Sequence, residues 1–391
     1  MTVPPSIRAH SIPPPSTPLS FPMALRGARM SARERVLTAL RRQTPDRVPR
    51  HASWTPPARE ALRRHIGDTN PDDAFQLDVR HAGPSQRSTQ DELHRRFAPY
   101  FGSHNLPSGA TYDDLLIDEW GMGQVPHAEV HYTQYVYPLA GVNTLDALRS
   151  YPWPDLAHPQ RWRHVPERVA ALHTRGLAVA GSAACSIFER AWYLRGMDQL
   201  FADWAENERY AITLLDTIAD TTCAVARHYA RARVDVLQLG DDVGIQHQLL
   251  MSPATWRRWL KPRLRRIVDA AREVNPDLLI WYHSDGYVEP LIPELIEIGV
   301  NVLNPVQPEC MDPAALKRRF GDRLAFWGTI GIQTTLPFGT PQEVRAVVRE
   351  RVETVGQNGG LLLAPTHVIQ PDVPWENLCA FFQAIEDFGV Y

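Results

Sequence analysis

Late in the chain, acidic and imidazole side chains recur where they could share a divalent cation: the pair Asp241-Asp242, the triplet His283-Ser284-Asp285, and His367. A catalytic zinc takes about three protein ligands of N, O or S type and keeps one position open for substrate. His283 and Asp285 stand two residues apart, so both can turn toward one ion, and His367 would approach it from a later segment. Of the aspartate pair only one can easily face inward, and the residues alone leave open which. Each signal has a plainer alternative. H-x-D arises by chance, with His283 ending a strand and Asp285 making an Asx-type turn toward Gly286. Adjacent acids can cap a helix or pair with arginine.

Other polar groups cluster around this set. Glu189 and Arg190 suit acid–base work and substrate contact, or form a simple ion pair. Asn304, Gln307 and Gln370 suit substrate hydrogen bonds, or fix backbone in buried loops. Trp327 could offer a ring to substrate, although Trp281, Tyr282, Phe326 and Trp327 lie in apolar runs where aromatics are more often core. His51 and Trp54 fall near an early strand exit where they would line a pocket, and Glu119-Trp120 would form part of a lid. Cys310 stands isolated after a Pro-Glu turn, with no base in sight to make it a nucleophile.

The elements that must position these groups are short apolar runs alternating with helices. LAVAGSAA, VDVLQLG, LLIWYH, NVLNPV, LAFWGTI and GLLLAP read as strands. Helices open on Ser252-Pro253, Asp312-Pro313 and Thr340-Pro341, with proline in the first turn behind a capping side chain. Near-continuous apolar strands between helices mean a parallel sheet covered on both faces. Together with the early strand PDRVPRHASW and its helix over 57–66, the units approach eight, and no G-x-G-x-x-G turn follows the first strand. The expected fold is α/β: a (β/α)8 TIM barrel with an insertion after the first strand–helix unit. In such a barrel chemistry collects where strands end at the carboxyl face, and Asp241-Asp242, His283, Asn304 and His367 all fall at such exits. Residues 70–165 read as irregular, with strands in DDLLIDEWG and VHYTQYVYPL and a short helix in LDALRSYPWPD; this excursion is expected to cover one face as a lid. Ser31 and Glu34 carry capping-box spacing at the start of a first helix.

Composition bounds the function. The chain has 391 residues, 44% hydrophobic, enough for one large barrel over 31–391. A formal net charge of −3 gives no basic excess for nucleic acid. No apolar run approaches a membrane span, so no membrane partner is expected and a cytoplasmic location is. Cys185, Cys223, Cys310 and Cys379 are scattered, which suits reduced thiols. Residues 1–30, rich in proline and serine and free of acids, are expected to be a disordered tail, and the stretch from Met30 reads like a start.

GDDVGIQ, YHSDGYVEPLIPELIEIGVNVLNPVQ, LAFWGTIGIQTTLPFGTPQEV and GGLLLAPTHVIQPDVPWENL, with SARERVLTALRRQTPDRVP and IDEWG earlier, resemble the uroporphyrinogen decarboxylase superfamily over roughly residues 30–390. The resemblance implies the same barrel and two possible chemistries. True uroporphyrinogen decarboxylases are cofactor-free and carry an early M-R-Q-A-G-R type segment; RVPRHASWTPPAREALR lacks it, and Arg50 and Arg59 do not restore its spacing. The other branch, zinc-dependent methyltransferases working with corrinoid proteins, carries H-x-C and a later cysteine. Here Asp285 stands in place of the first cysteine and His367 near the second, exchanging soft sulfur for N and O donors. The implied reading is a zinc-dependent methyltransferase or demethylase. It would act on a small methoxylated or methylated substrate, with a corrinoid supplied by a partner protein. His283, Asp285 and His367 would hold zinc, with Asp241 or Asp242 as fourth ligand or close support, and a homodimer is expected by analogy. The rival expectations are a metal-free decarboxylase of a tetrapyrrole or small acid, with Asp241 or Asp242 handling the proton, and a non-catalytic ligand-binding barrel.

Overall fold

The computed structural model describes residues 29–102, 106–107, 109–125 and 134–391. The tail expected to be disordered lies outside the described residues except for Arg29 and Met30, whose N–H groups both donate to Asp46 Oδ2. The first helix, Ala32–Leu40, begins where the cap chemistry requires: Ser31 and Glu34 satisfy each other's backbone donors in a capping box. Thr340 and Glu343 do the same for the helix Pro341–Thr354.

Seven parallel strands follow one another around a curled sheet in chain order: β1 (Val79–His81), β2 (Ala178–Ser182), β3 (Val236–Gly240), β4 (Leu279–His283), β5 (Val302–Asn304), β6 (Ala325–Ile330) and β7 (Leu361–Pro365). Residues 49–51 bridge its two edges. His51 N–H donates to Leu363 O, Leu363 N–H donates to Pro49 O, and Arg50 O accepts from Asp78 N–H. The segment read as an early strand therefore closes the barrel through isolated bridges rather than as a regular strand.

One strand corrects the sequence reading. β1 lies inside the stretch read as irregular, because Asp78 and Arg80 interrupt its apolar run. Both are buried and spoken for: Arg80 donates to the Leu77, Val79 and Asp72 carbonyls and to Asp73, and Asp78 collects Arg35, Arg47 and the Arg50 N–H. The excursion thus sits between β1 and β2. It contains a small antiparallel sheet of Leu116–Ile117, Gly123–Val125 and Gln134–Val136, and the short helix Leu145–Arg149. Residues 130–133 of the expected VHYTQYVYPL strand lie outside the described residues. The long helical stretch before β3 is three helices, Phe188–Arg195, Met197–Glu206 and Glu208–Arg231. Among the described residues no helix is long and apolar enough to cross a membrane.

Period-two alternation decides what faces inward. Val79, Ala178, Ala180, Val236, Leu279, Trp281, Val302, Ala325, Trp327, Leu362 and Ala364 form one interior cluster. Two residues further along the same faces stand His81, Ser182, His283, Asn304, Thr329 and Thr366. The barrel thus carries an apolar plug with a polar layer above it, at the carboxyl face where active sites of this fold assemble.

Candidate metal and active site

The exits of β3 and β4 pack backbone against backbone. A side chain at Gly240 (φ +152) would meet His283 O at 2.1 Å, and one at Gly286 (φ +78) would meet the Gly244 carbonyl carbon at 2.7 Å. Only glycine permits both the conformation and the approach. This close fit lets Asp242 Oδ1 accept from Asp285 N–H at 2.8 Å, and it brings Asp242, His283 and Asp285 into one group. Ligand atoms of the three lie within 4.8 Å of one another. His283 Nε2 stands 3.7 Å from Asp242 Oδ1 and 3.7 Å from Asp285 Oδ1.

Asn304 fixes the imidazole. The register sets Gly240, His283 and Asn304 side by side across three strands. His283 Nδ1 then lies 2.5 Å from Asn304 Oδ1, while Asn304 Nδ2 donates to Trp327 O at 2.9 Å. With its amide nitrogen committed to a carbonyl, Asn304 offers His283 an acceptor, so Nδ1 carries hydrogen and Nε2 is the nitrogen left on the side of the two acids, free to take a proton or a metal ion. This is the outer support that metal-binding histidines receive. Asp285 Oδ1 is buried with no hydrogen-bond partner among the described residues. Separations of 3.7 Å are too long for hydrogen bonds but close to the roughly 3.4 Å between ligand atoms of a tetrahedral zinc with bonds of about 2.0–2.1 Å. The donor set fits a borderline divalent cation.

The electrostatics agree. Burial raises the Asp285 carboxyl above its ordinary value, with Asp242 adding to the effect and His283 opposing it. Burial and then Asp242 push Glu189 up to about 7. Burial opposes charge on His283, yet Asp285 and Asp242 hold it above the ordinary imidazole range. Without a cation the cluster retains protons to offset crowded carboxylates.

The aspartate pair divides cleanly. Asp241 is 2% exposed, and its Oδ1 accepts from the N–H groups of Ile187 and Glu189, fastening the start of the helix Phe188–Arg195. Asp242 turns to the cluster instead. His367 Nε2 comes 3.9 Å from Asp285 Oδ2, but His367 stands outside the three-residue group and is exposed. Glu189 joins through its Oε2, which accepts from Asp242 N–H at 3.0 Å; its Oε1 accepts from Tyr193 OH at 3.1 Å. Tyr193 was not singled out from the sequence, and neither was His81, because β1 was not legible.

Most residues expected to contact substrate are committed to the framework. Arg190 pairs with Asp118 at 2.7 Å and lies over the Trp120 ring, tying the excursion to the helix after β2. Asn304 holds His283, and Gln307 Oε1 accepts from Gly286 N–H at 3.2 Å, bracing the turn after Asp285. Trp327 is 1% exposed and stacks on Trp281 at 4.1 Å within the barrel. Gln370 is half-buried; its main-chain carbonyl accepts from Val373 N–H. Glu119 is locked to Arg161 at 2.7 and 2.5 Å, and His51 and Trp54 both line a cavity beside β1.

Residues 114–388 match the family model described as Uroporphyrinogen decarboxylase (URO-D). The chloroplastic uroporphyrinogen decarboxylase of Zea mays is 29% identical over 133 residues, 34% of this chain and 32% of that protein. The uroporphyrinogen decarboxylase of Coxiella burnetii (strain RSA 493) is 24% identical over 181 residues, 46% of this chain and 47% of that protein. The chain thus spans about a third to just under a half of the length of these curated relatives. A solved methyltransferase from Methanosarcina mazei superposes with a TM-score of 0.64 over 92% of this chain and 99% of that one, at 18% identity, which shows a common fold.

Proposed function

The chain belongs to the uroporphyrinogen decarboxylase family, whose matched members are enzymes, and on that premise we propose a zinc-dependent methyltransferase or demethylase. Its substrate is a small methoxylated or methylated compound, and a corrinoid protein carries the methyl group. The observation that carries this reading is His283, held at Nδ1 by Asn304 with Nε2 facing Asp242 and Asp285, one of whose oxygens is buried without a partner.

His283, Asp242 and Asp285 would hold the ion, with His367, 3.9 Å from Asp285 Oδ2, as a further candidate ligand. Bound zinc would supply Lewis-acid polarisation of an ether or carboxylate oxygen on the methyl donor. The remaining work falls to the chain itself. Asn304 and Gln307 hold the ligand-bearing loop in place. Loss of the methyl group leaves an oxyanion, and Glu189, whose Oε2 accepts from Asp242 N–H beside the cluster, is placed to handle the proton it takes up. The rival metal-free decarboxylase would use Asp241 or Asp242 as proton handler; the burial and two backbone bonds of Asp241 weigh against that residue, which leaves the role to Asp242.

Metal analysis of the purified protein beside His283→Ala and Asp285→Ala tests the reading, together with methyl transfer from methoxylated compounds to a reduced corrinoid protein. About one zinc per chain, lost in both variants, is the expected result. Equal, negligible zinc in all three, or turnover that survives exhaustive chelation, overturns it.

A further inference from the structure

The helix Phe188–Arg195 lies between the cluster and the excursion and is fastened to both. At its start Asp241 Oδ1 accepts from the Ile187 and Glu189 N–H groups, each at 3.0 Å. At its end the buried Arg195 pairs with Asp203 at 2.8 Å and donates to the Leu139 and Val142 carbonyls of the excursion, while Leu139 N–H donates to Leu194 O. Positions four apart share one face of a helix, so Glu189 in the first turn and Tyr193 one turn later stand together. Glu189 is 8% exposed and spends one oxygen on each side. Its Oε2 accepts from Asp242 N–H at 3.0 Å, and its Oε1 accepts from Tyr193 OH at 3.1 Å.

Tyr193 is itself held from the excursion. Its ring lies 4.8 Å from that of Tyr135, in the strand Gln134–Val136. The Arg190 guanidinium stands 5.9 Å from the centroid of the Tyr193 ring and is fixed there by its pair with Asp118 of the excursion. Packing alone needs no hydroxyl at this position. A hydroxyl donated to a carboxylate makes a charge-assisted bond, roughly twice as strong as a neutral one, and it fixes which way the acid points. A continuous line of contacts therefore runs from the excursion to an acid of the cluster: Tyr135, Tyr193, Glu189, Asp242.

We propose that Tyr193 is a positioning residue: its hydroxyl holds Glu189 against the Asp242 main chain, and Tyr135 holds Tyr193. The placement of the excursion then sets the geometry of both the proton-handling acid and the cluster. This rests on the function proposed above for the metal and the proton step; the coupling of Tyr193 to Glu189 needs neither.

The test is a double-mutant cycle in the full chain: wild type, Tyr193→Phe, Glu189→Ala and the two together. Zinc affinity is read by competition with a chromogenic chelator, and stability by urea unfolding with the metal chelated away. Tyr193→Phe keeps the ring and removes only the donor. It should weaken zinc binding about two- to tenfold, the ordinary worth of one hydrogen bond, and that loss should vanish where Glu189 is already alanine. In urea the same cycle should couple the two residues by a similar factor in the unfolding equilibrium constant. Tyr135→Ala, which removes the ring that holds Tyr193, should weaken zinc binding as Tyr193→Phe does. Wild-type zinc affinity in Tyr193→Phe, or a loss undiminished in the alanine background, overturns the positioning role. Unchanged affinity in Tyr135→Ala overturns the excursion's share in it. A wild-type chain that binds no zinc overturns the metal reading instead, and the urea cycle then decides for Tyr193: coupling upholds its role and additivity removes it.

Discussion

Replacing Asn304 by alanine removes the group that decides which nitrogen of His283 is free. Its Oδ1 accepts from Nδ1 at 2.5 Å, and its Nδ2 is spent on the Trp327 carbonyl at 2.9 Å. Without it the imidazole can rotate and change tautomer, and Nε2 no longer dwells between Asp242 and Asp285. Loss of such a partner typically weakens metal binding about 10–100-fold. With free zinc held at about 100 times the wild-type Kd, the ion stabilises the wild-type fold by about 2.7 kcal/mol. That falls to about 1.4 kcal/mol after a tenfold loss of affinity and about 0.4 kcal/mol after a hundredfold one. The variant also leaves a buried carbonyl and an imidazole N–H unpaired, at about 1–3 kcal/mol, but this cost is present with and without metal. The zinc-induced shift in urea unfolding isolates the effect, and competition with a chromogenic chelator gives Kd directly. Asn304→Asp keeps an acceptor for Nδ1 and should retain most of the affinity. An alanine variant that binds zinc as tightly as the wild type, or an aspartate variant that loses as much as alanine, refutes the reasoning.

Glu189→Gln probes the raised carboxyl. In metal-free protein the Glu189 proton is held up to about 7 against an ordinary 4.5. Its stabilising contribution is therefore complete below about pH 4.5 and lost as pH rises through about 7, a swing of up to about 3 kcal/mol. Relative to wild type the glutamine variant should gain stability from pH 5 to pH 8, and a difference flat with pH contradicts this. Asp78→Ala strands the buried Arg35 and Arg47 guanidinium groups, now 2.7 and 3.1 Å from that carboxylate. It should cost about 3–5 kcal/mol in urea unfolding, and a loss below about 1 kcal/mol would show the network to be slack. Gly286→Ala forces a side chain into left-handed backbone against the Gly244 carbonyl carbon at 2.7 Å. It should cost at least about 1–2 kcal/mol and weaken zinc binding by parting Asp242 from Asp285; unchanged zinc affinity would separate loop packing from the site.

How much of this was legible depended on how far each signal was local. The strands after residue 175 could be read because both faces of a parallel sheet are covered and their apolar runs are nearly unbroken. β1 could not, since Arg80 and Asp78 look like surface residues until the carbonyls and arginines that receive them are known. The choice between Asp241 and Asp242 had no local signal at all. It is made by the Gly240 backbone, which turns one acid under a helix start and the other toward β4. Asn304 was visible as an amide at a strand exit, but only the lateral register of β4 and β5 shows that it serves His283. His81 was hidden with its strand.

The chemistry of the donor set follows from the same crowding of acids. A thiol binds metal as thiolate, and the two thiols that come near this mouth are held in the protonated form. Burial, reinforced by Glu309 and Asp285, pushes Cys310 up to about 11, and burial with Glu189 raises Cys185 further. Burial, with the acids adding to it, thus disfavours thiolate here, and the group assembled among the described residues is nitrogen and oxygen alone. Such a set withdraws more charge from a borderline ion than thiolates do, which suits polarising a substrate oxygen better than sustaining a nucleophilic thiolate. The surrounding backbone is strained where it supports that set: Val306 (φ +52) and Thr329 (φ +73) are β-branched residues in left-handed conformation, close in chain or in space to Asn304. Strain of this kind persists only where the surrounding packing over-determines it. What it holds in place here is the amide that aims His283 at its two acids.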